Sequence, residues 1–304
     1  MKSFAFLKTI ALALLVSVSF VACDEESDPI GSDPDVLAPT NLKAGSADGA
    51  VFLNWTASAS ASASNFNGYE IAILNKATNT ALTPISAGAG VTSVRIDGLT
   101  NGTRYEFTIR SLTTGGKKST DFAMIEWSPA PRQALDLNGA LIKVYATTST
   151  TFNSAIDIFN AAGKAEVIPQ SGAEFRDRGD LYVTAASTTA PLSIKSPDQA
   201  NNKGMETQFS TVAGIATDDL NTQLASAPPA SSSYSLKEIT LGDATVAAGM
   251  VYFGRLVRGT DQYYFRMLVK RGANGKLVQG SGADRYVEVA FSFQNAPNNP
   301  FAKK

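Results

Sequence analysis

Alternation of apolar and polar side chains is the feature that most constrains how this chain folds. Tyr105, Phe107 and Ile109 alternate with charged or hydroxyl side chains, and residues 51–55 and 69–73 follow the same rule. A period of two places every second side chain on one face of a β-strand, so that one face is buried while the other meets water. Gly, Asn and Ser turns separate these stretches, as in an antiparallel sandwich. The pattern predicts a mostly β protein.

Length and the positions of the strand patterns predict two folded units. The chain has 304 residues, and one domain takes roughly 150. Residues 37–131 have the length of one seven-stranded sandwich. Residues 134–304 hold further strand patterns, so we expect a second β-rich domain, either a sandwich or an α+β fold. Its clearest strands are predicted at 250–258, 262–271 and 285–294, with a short helix at 218–225.

Composition excludes several classes of catalytic site. The chain has no histidine and a single cysteine, Cys23. The absence of histidine excludes Ser-His-Asp and Cys-His triads and imidazole zinc sites, and one cysteine forms neither an intrachain disulfide nor a thiolate cluster. No phosphate-binding loop, dinucleotide fingerprint or nucleic-acid module is present. We therefore expect a protein that is not an enzyme, uses no cofactor and has no nucleic-acid partner.

The first 22 residues have the pattern of a signal peptide that ends at the only cysteine. Lys2 and Lys8 precede the uncharged stretch 9–20, which is too short to span a bilayer as a helix. The sequence Phe-Val-Ala-Cys at 20–23 resembles the lipobox of bacterial lipoproteins, although Phe20 stands where leucine is usual. The resemblance implies cleavage before Cys23 and acylation of Cys23 by chains such as palmitate, which anchor a protein in a membrane. The alternative is a cleaved secretory signal followed by a free cysteine.

Residues 23–36 are predicted to form an acidic tether. They contain six acidic residues and no basic residue, together with Pro, Gly and Ser, and such a segment cannot bury enough apolar surface to fold. An acidic run directly after a lipidated cysteine resembles the export signal of Bacteroidota-type surface lipoproteins. The resemblance implies a lipid-anchored outer-membrane protein at the cell surface. The alternative is a plain spacer on a periplasmic lipoprotein.

Several positions in residues 37–131 carry a family resemblance. Trp55, Tyr69 and the segment 99–105, which runs from Leu99 to Tyr105, occupy the strand and corner positions of a fibronectin type III domain, which this unit resembles. Trp55 and Tyr105 are then core residues, and the loop at 57–64 is longer than usual for the family. The resemblance implies a spacer or a binding module rather than a catalyst.

Basic and aromatic residues in the predicted C-terminal strands form the first candidate ligand-binding site. The favoured interpretation of these residues is a solvated outer face of a sheet, and the alternative is a platform for an acidic glycan or another polyanion. A partner bound there would be a glycan or another envelope protein. The overall prediction is a non-catalytic binding or adhesion role. The candidate residues are Arg255, Arg258, Tyr264, Arg266 and Lys270.

Three further patterns in residues 134–304 leave other functions open. The layout is weakly similar to haem-carrier lipoproteins, and in the absence of histidine Met205, Met250 and Met267 are the axial candidates. The tripeptide at 178–180 is Arg-Gly-Asp, for which an ordinary turn is the alternative to integrin recognition. Finally, four carboxylates are available for glycosidase-like acid–base work, which needs two of them about 5 to 9.5 Å apart. They are Glu166, Glu174, Asp177 and Asp180.

Overall fold

Two β-sandwiches follow one another in the computed structural model, which describes residues 35–201 and 203–303. The predicted signal peptide, Cys23 and most of the acidic tether lie outside the described residues. None of the helices in the described part of the chain is long and apolar enough to cross a membrane. The fold is mostly β with several sheets, as the alternation predicts.

The first sandwich packs a three-stranded sheet, in the order β1-β2-β5, on a four-stranded sheet, in the order β4-β3-β6-β7. Trp55 and Tyr105 are buried, as predicted, and the Tyr105 hydroxyl accepts a hydrogen bond from the Thr100 backbone N–H at 3.1 Å. The strands are β1 Thr40–Ala47, β2 Ala50–Thr56, β3 Phe66–Asn75, β4 Thr80–Gly88, β5 Ser93–Ile96, β6 Tyr105–Thr113 and β7 Ala123–Trp127.

The second sandwich packs a five-stranded sheet, in the order β11-β10-β12-β13-β16, on a seven-stranded sheet, in the order β15-β14-β17-β18-β19-β8 with β9 also paired to β19. Its main core lies between the two sheets and contains Phe209, Phe265, Met267 and Phe291. The strands are β8 Arg132–Gln133, β9 Ile142–Tyr145, β10 Ala155–Asp157, β11 Glu166–Ile168, β12 Leu181–Thr184, β13 Leu192–Lys195, β14 Glu206–Ser210, β15 Tyr234–Leu236, β16 Glu238–Leu241, β17 Met250–Arg258, β18 Asp261–Val269 and β19 Tyr286–Phe293.

The helix predicted at 218–225 is wrong. Only a 3₁₀ turn, Leu220–Thr222, forms there, and the α-helix of this domain is α1, Gly172–Arg178. The Leu220 and Gln223 carbonyls accept hydrogen bonds from the Arg266 guanidinium instead of continuing a helix. Ala225 then pairs in an antiparallel bridge with Ala44 of β1.

The two sandwiches contact each other through the edge strand β1 and the C-terminal segment. Ala44 and Ala225 exchange backbone hydrogen bonds of 2.8 and 2.9 Å, so part of the β1 edge is covered by the second sandwich. The Phe301 ring packs edge-on against Trp127 at 5.6 Å, and the Phe301 carbonyl accepts from the Ser46 hydroxyl at 2.7 Å. These hydrogen bonds and the ring contact join the first sandwich to the second.

Candidate ligand-binding cleft

An open cleft of about 530 Å³ lies at one end of the second sandwich, where the last residues of β10, β17 and β19 meet the start of β18 and the end of α1. We call it the end cleft. Its wall combines aromatic rings with charged and amide side chains. The lining side chains are Asp157, Phe159, Asn160, Ala161, Asp177, Arg178, Asp180, Met205, Leu256, Arg258, Tyr263, Phe293 and Asn295.

Three aromatic rings form a row along one wall of the end cleft. The Phe159 and Phe293 rings stack at a centroid distance of 5.2 Å, and Phe293 stacks on Tyr263 at 6.1 Å, with interplanar angles of 25° and 16°. Phe293 is buried, whereas Phe159 and Tyr263 are half-buried. Phe159 and Tyr263 therefore each present part of a ring to the cleft, and the buried Phe293 ring between them holds both in position.

Two arginine–carboxylate groups also line the end cleft. Arg178 Nη1 contacts Asp157 Oδ2 at 3.0 Å and Glu166 Oε2 at 2.7 Å, while its Nη2 pairs with Glu174. Arg258 Nη2 pairs with Asp180, whose other oxygen accepts from the Ile158 backbone N–H at 2.8 Å. These ion pairs hold charged donors and acceptors at set positions in the cleft.

Burial raises the pKa values of Asp157 and Asp180, two aspartates that line the end cleft. Burial is the main reason that the pKa of Asp180 rises to about 6, and Asp157 adds to the rise while Arg258 opposes it. Burial also raises the pKa of Asp157, against the effect of Arg178. Glu166 is more exposed, and its hydrogen bond from Arg178 lowers its pKa. The end cleft is therefore lined by two aspartates with raised pKa values, and Glu166, which has a lowered pKa, pairs with Arg178 of the same cleft.

The structure separates the basic and aromatic residues predicted to form one platform. Of the five, only Arg258 lines the end cleft. Arg255 and Tyr264 are buried on the other face of the same sheet, where both contact Gln262 Oε1, at 3.2 and 2.6 Å. Arg266 is fully buried against the first sandwich, and Lys270 lines a second cavity near that contact.

The face of β17 and β18 that carries Arg255, Tyr264 and Arg266 is not a solvated outer face. Leu220 and Tyr234, from the segment that leads into β15, pack with residues of this face in a second apolar cluster. Arg258 differs because β-strand alternation turns it to the face of Leu256, towards the end cleft. Sequence alternation alone did not reveal that both faces of this sheet are covered.

The other predicted patterns are also placed by the fold. Met250 and Met267 lie on the core face of the paired strands β17 and β18, whereas Met205 lines the end cleft, so the three methionines are not gathered at one site. Asp177 and Asp180 line the end cleft. Among the described residues, no group of three or more acidic side chains is placed to hold a metal ion.

The Arg-Gly-Asp tripeptide is not displayed as a free loop. Arg178 is held by three carboxylates, the Gly179 N–H closes the end of α1 on the Phe175 carbonyl at 3.0 Å, and Asp180 is only 5% exposed. Its two charged residues are instead components of the end cleft.

Sequence reasoning missed the aromatic row and Asp157. Asp157 stands between Ile156 and Ile158 in a short apolar run, and a carboxylate in a buried strand is an unusual feature that signals an ion pair or a site. Phe159 and Phe293 lie just beyond or at the end of their strands and are far apart in sequence. No spacing pattern connects them, because only the packing of the two sheets brings them together.

Comparisons with known proteins bear on the first sandwich. Residues 37–126 match the family model of the fibronectin type III domain, and no curated protein matches the chain. Among solved structures, the two-domain fibronectin type III segment of chicken tenascin is similar at 10% identity and a TM-score of 0.28, over 78% of this chain and 99% of that one.

Two further structures are similar. The FN1–FN3 domains of chicken CNTN1 have 11% identity and a TM-score of 0.31, over 75% of this chain and 62% of that one. The FN3 domain of human collagen XX has 19% identity and a TM-score of 0.25, over 31% and 94%. Scores this low carry no argument about function. The family match, the three-on-four arrangement of strands and the Tyr105 corner together identify residues 37–126 as a fibronectin type III domain.

Proposed function

We propose that this protein is a non-catalytic binding protein of the bacterial cell envelope, and that the end cleft of its second domain holds a glycan. The observation that carries the proposal is that the row of Phe159, Phe293 and Tyr263 lines the same open cleft as the Arg178 and Arg258 ion pairs. The fibronectin type III domain supports the broader role of a binding or adhesion scaffold.

The chemistry of the two walls suits a sugar. The C–H faces of a pyranose ring are apolar enough to stack on an aromatic face, and its hydroxyls need several hydrogen-bond partners in fixed directions. Phe159 and Tyr263 supply the faces, while Arg178, Arg258 and their carboxylates supply donors and acceptors that are already oriented. Oriented partners lose little freedom on binding, which favours a hydroxyl-rich ligand over bulk water.

Loss of the aromatic wall is expected to weaken glycan binding strongly. Screening residues 35–304 on a glycan array and then titrating a hit by calorimetry gives the reference affinity. We expect Phe159→Ala and Tyr263→Ala each to reduce that affinity by about tenfold, since each removes one stacking face. The matched control is Phe152→Ala. Phe152 is also a stacked aromatic ring at the surface, but it packs on Tyr145 outside the end cleft.

Two results would count against the glycan proposal. One is unchanged affinity in both cleft variants. The other is hydrolysis of a polysaccharide without stable binding, which would favour a glycoside hydrolase that uses carboxylates such as Asp177 and Asp180, both of which line the cleft. Loss of that hydrolysis in Asp180→Asn would then support an enzyme.

The proposed place of action is the outer membrane, with Cys23 as the lipid anchor. The support is the sequence Phe-Val-Ala-Cys at 20–23 and the acidic run that follows it. Changing Cys23 to Ser is expected to move the protein from the membrane fraction to the soluble fraction, because the acyl chains are its means of attachment. Ser27→Ala, a change of similar size within the tether, is the control and should leave the protein in membranes. A membrane-bound Cys23→Ser protein would contradict the anchor, and protease shaving of intact cells tests whether the protein faces outward.

A further inference from the structure

A second cavity, of about 370 Å³, lies where the two sandwiches meet, and we call it the junction cavity. It is bounded by the β1–β2 turn and β5 of the first domain and by β8, β18 and β19 of the second. Its apolar wall consists of Ala47, Leu220, Leu268 and Ala290 with Ala134. Its polar wall consists of Asp48, Arg95, Arg132, Asp218, Asp219, Asn221 and Lys270.

Two arginines converge at the junction, and neither forms an ion pair with a carboxylate of the described residues. Arg132 Nη2 and Arg266 Nη2 both donate to the Ser46 carbonyl oxygen, the latter at 2.7 Å, and Arg132 Nη2 also donates to Asn221 Oδ1 at 3.0 Å. Arg132 Nη1 and Arg266 Nε are buried, and no group in the described part of the chain accepts a hydrogen bond from either. Within the described residues, neither guanidinium lies within 4.0 Å of a carboxylate.

The surroundings of the two buried guanidiniums favour a negative charge beside them, although the cavity wall as a whole carries as many carboxylates as cations. Burial lowers the pKa of Arg132 to about 10, with Arg95 adding to that effect while Asp219 and Asp48 oppose it. Burial and the nearby Arg132 lower the pKa of Arg266 as well. A buried guanidinium without a counter-ion is costly, and an oxyanion beside it removes part of that cost.

The aspartates of the cavity wall already have hydrogen-bond donors. Asp219 Oδ1 accepts from the Asn221 N–H at 2.8 Å, and Asp218 Oδ1 accepts from the Gly249 N–H at 2.8 Å. Asp48 Oδ1 accepts from Asn101 Nδ2 at 2.7 Å. Among the cations, Arg95 is paired with Asp97 at 2.7 Å, whereas no carboxylate in the described residues pairs with Lys270. Lys270 and the part of Arg132 that borders the cavity are therefore the cationic groups left for a ligand.

We propose that the junction cavity is a binding site for a small organic carboxylate of about the size of a sugar acid, with Arg132 and Lys270 as the groups that hold the carboxylate. The volume suits a ligand of that size, and the aliphatic wall suits its carbon skeleton. Because the wall comes from both domains, a ligand there binds the folded junction and stabilises it by mass action. The site is separate from the end cleft and does not depend on glycan binding there.

The test uses glucuronate as the probe and glucose as its neutral counterpart, added to residues 35–304 at constant ionic strength. Glucuronate is expected to raise the thermal midpoint, whereas glucose leaves it unchanged, and calorimetry gives the affinity. Lys270→Gln is expected to weaken that affinity by about tenfold, the usual effect of one charged hydrogen bond. Lys143→Gln is the matched control, since Lys143 is on the same sheet but pairs with Glu288 at 3.6 Å.

Two further variants complete the test. A folded Arg132→Gln variant is expected to show no rise of its thermal midpoint with glucuronate. If Arg132→Gln does not fold, the affinity of Lys270→Gln for glucuronate tests the proposal instead. Phe159→Ala is expected to keep full glucuronate affinity even where it loses a glycan, which separates the two sites. The proposal is overturned if glucuronate gives no shift, if Lys270→Gln binds it as well as the unaltered protein does, or if Phe159→Ala abolishes its binding.

Discussion

The Arg266→Ala variant is expected to lose about 3 kcal/mol of unfolding free energy, because the cavity and the lost carbonyl contacts outweigh the relief of no longer burying a guanidinium without a counter-ion. Arg266 is fully buried, and its Nη1 donates to the Leu220 and Gln223 carbonyls at 3.2 and 3.0 Å while its Nη2 donates to Ser46 O. Alanine leaves all three carbonyl oxygens buried without this donor and opens a cavity of nearly an arginine side chain. The lost hydrogen bonds and the cavity both lower the unfolding free energy, and both arise at the same position.

Urea denaturation of the purified variant measures this loss. Arg271→Ala is the matched control, because Arg271 donates to the Ala247 carbonyl at 2.9 Å from an exposed position on the segment after β18. We expect less than about 1 kcal/mol there, as for other surface contacts. Arg266→Met fills most of the space but supplies no donors, and it should remain well below the unaltered protein in stability. An Arg266→Met variant of full stability would show that the carbonyl contacts contribute little.

Arg266 also shows why the two domains are not independent. Its guanidinium joins the 3₁₀ turn at Leu220–Thr222 to Ser46 of β1, so one side chain of the second sandwich fixes the edge strand of the first. The Ser46 hydroxyl in turn accepts from Trp127 Nε1 at 3.1 Å and donates to the Phe301 carbonyl. We therefore expect the domains to unfold together rather than in two separate steps.

The first domain was predictable from sequence because its signals are local. Trp55, Tyr69 and Tyr105 stand at positions that alternation marks as inward, and the turn before Tyr105 fixes the start of β6. Each of these residues makes its contacts within about 95 residues of chain that form one sandwich. The residues that carry the family resemblance are therefore the same residues that pack in the core of the first sandwich.

The candidate sites were less predictable because they depend on which surfaces become covered. Alternation in β17 and β18 correctly separates Arg266 from Phe265, but it does not reveal that the face of Arg266 lies against the first domain. The basic residues on that face therefore looked like a surface platform. The end cleft brings together Phe159, Phe293 and Asp180 from distant segments. No local pattern in the sequence indicates that these residues lie close together in the fold.

The second large effect concerns Gly254 in the middle of β17. Gly254 pairs with Phe265 of β18, and the tip of the Phe265 ring lies against the glycine, so an added Cβ would be 2.0 Å from the ring Cζ. The ring has no free space into which to move, because it is fully buried between Phe209 at 6.4 Å and Phe291 at 5.9 Å. The clash is therefore with a fixed part of the core.

Gly254→Ala is expected to lower the unfolding free energy by about 3 kcal/mol, at the upper end for an overpacked core, because either Phe265 or strand β17 has to shift. Urea denaturation followed by tryptophan fluorescence and far-ultraviolet circular dichroism measures the loss. Gly242→Ala is the matched control, since the nearest atom to its added Cβ is the Ala244 nitrogen at 4.0 Å, and it should change stability by less than about 1 kcal/mol. Equal stability of the two variants would mean that Phe265 has another rotamer available, and it would contradict the prediction.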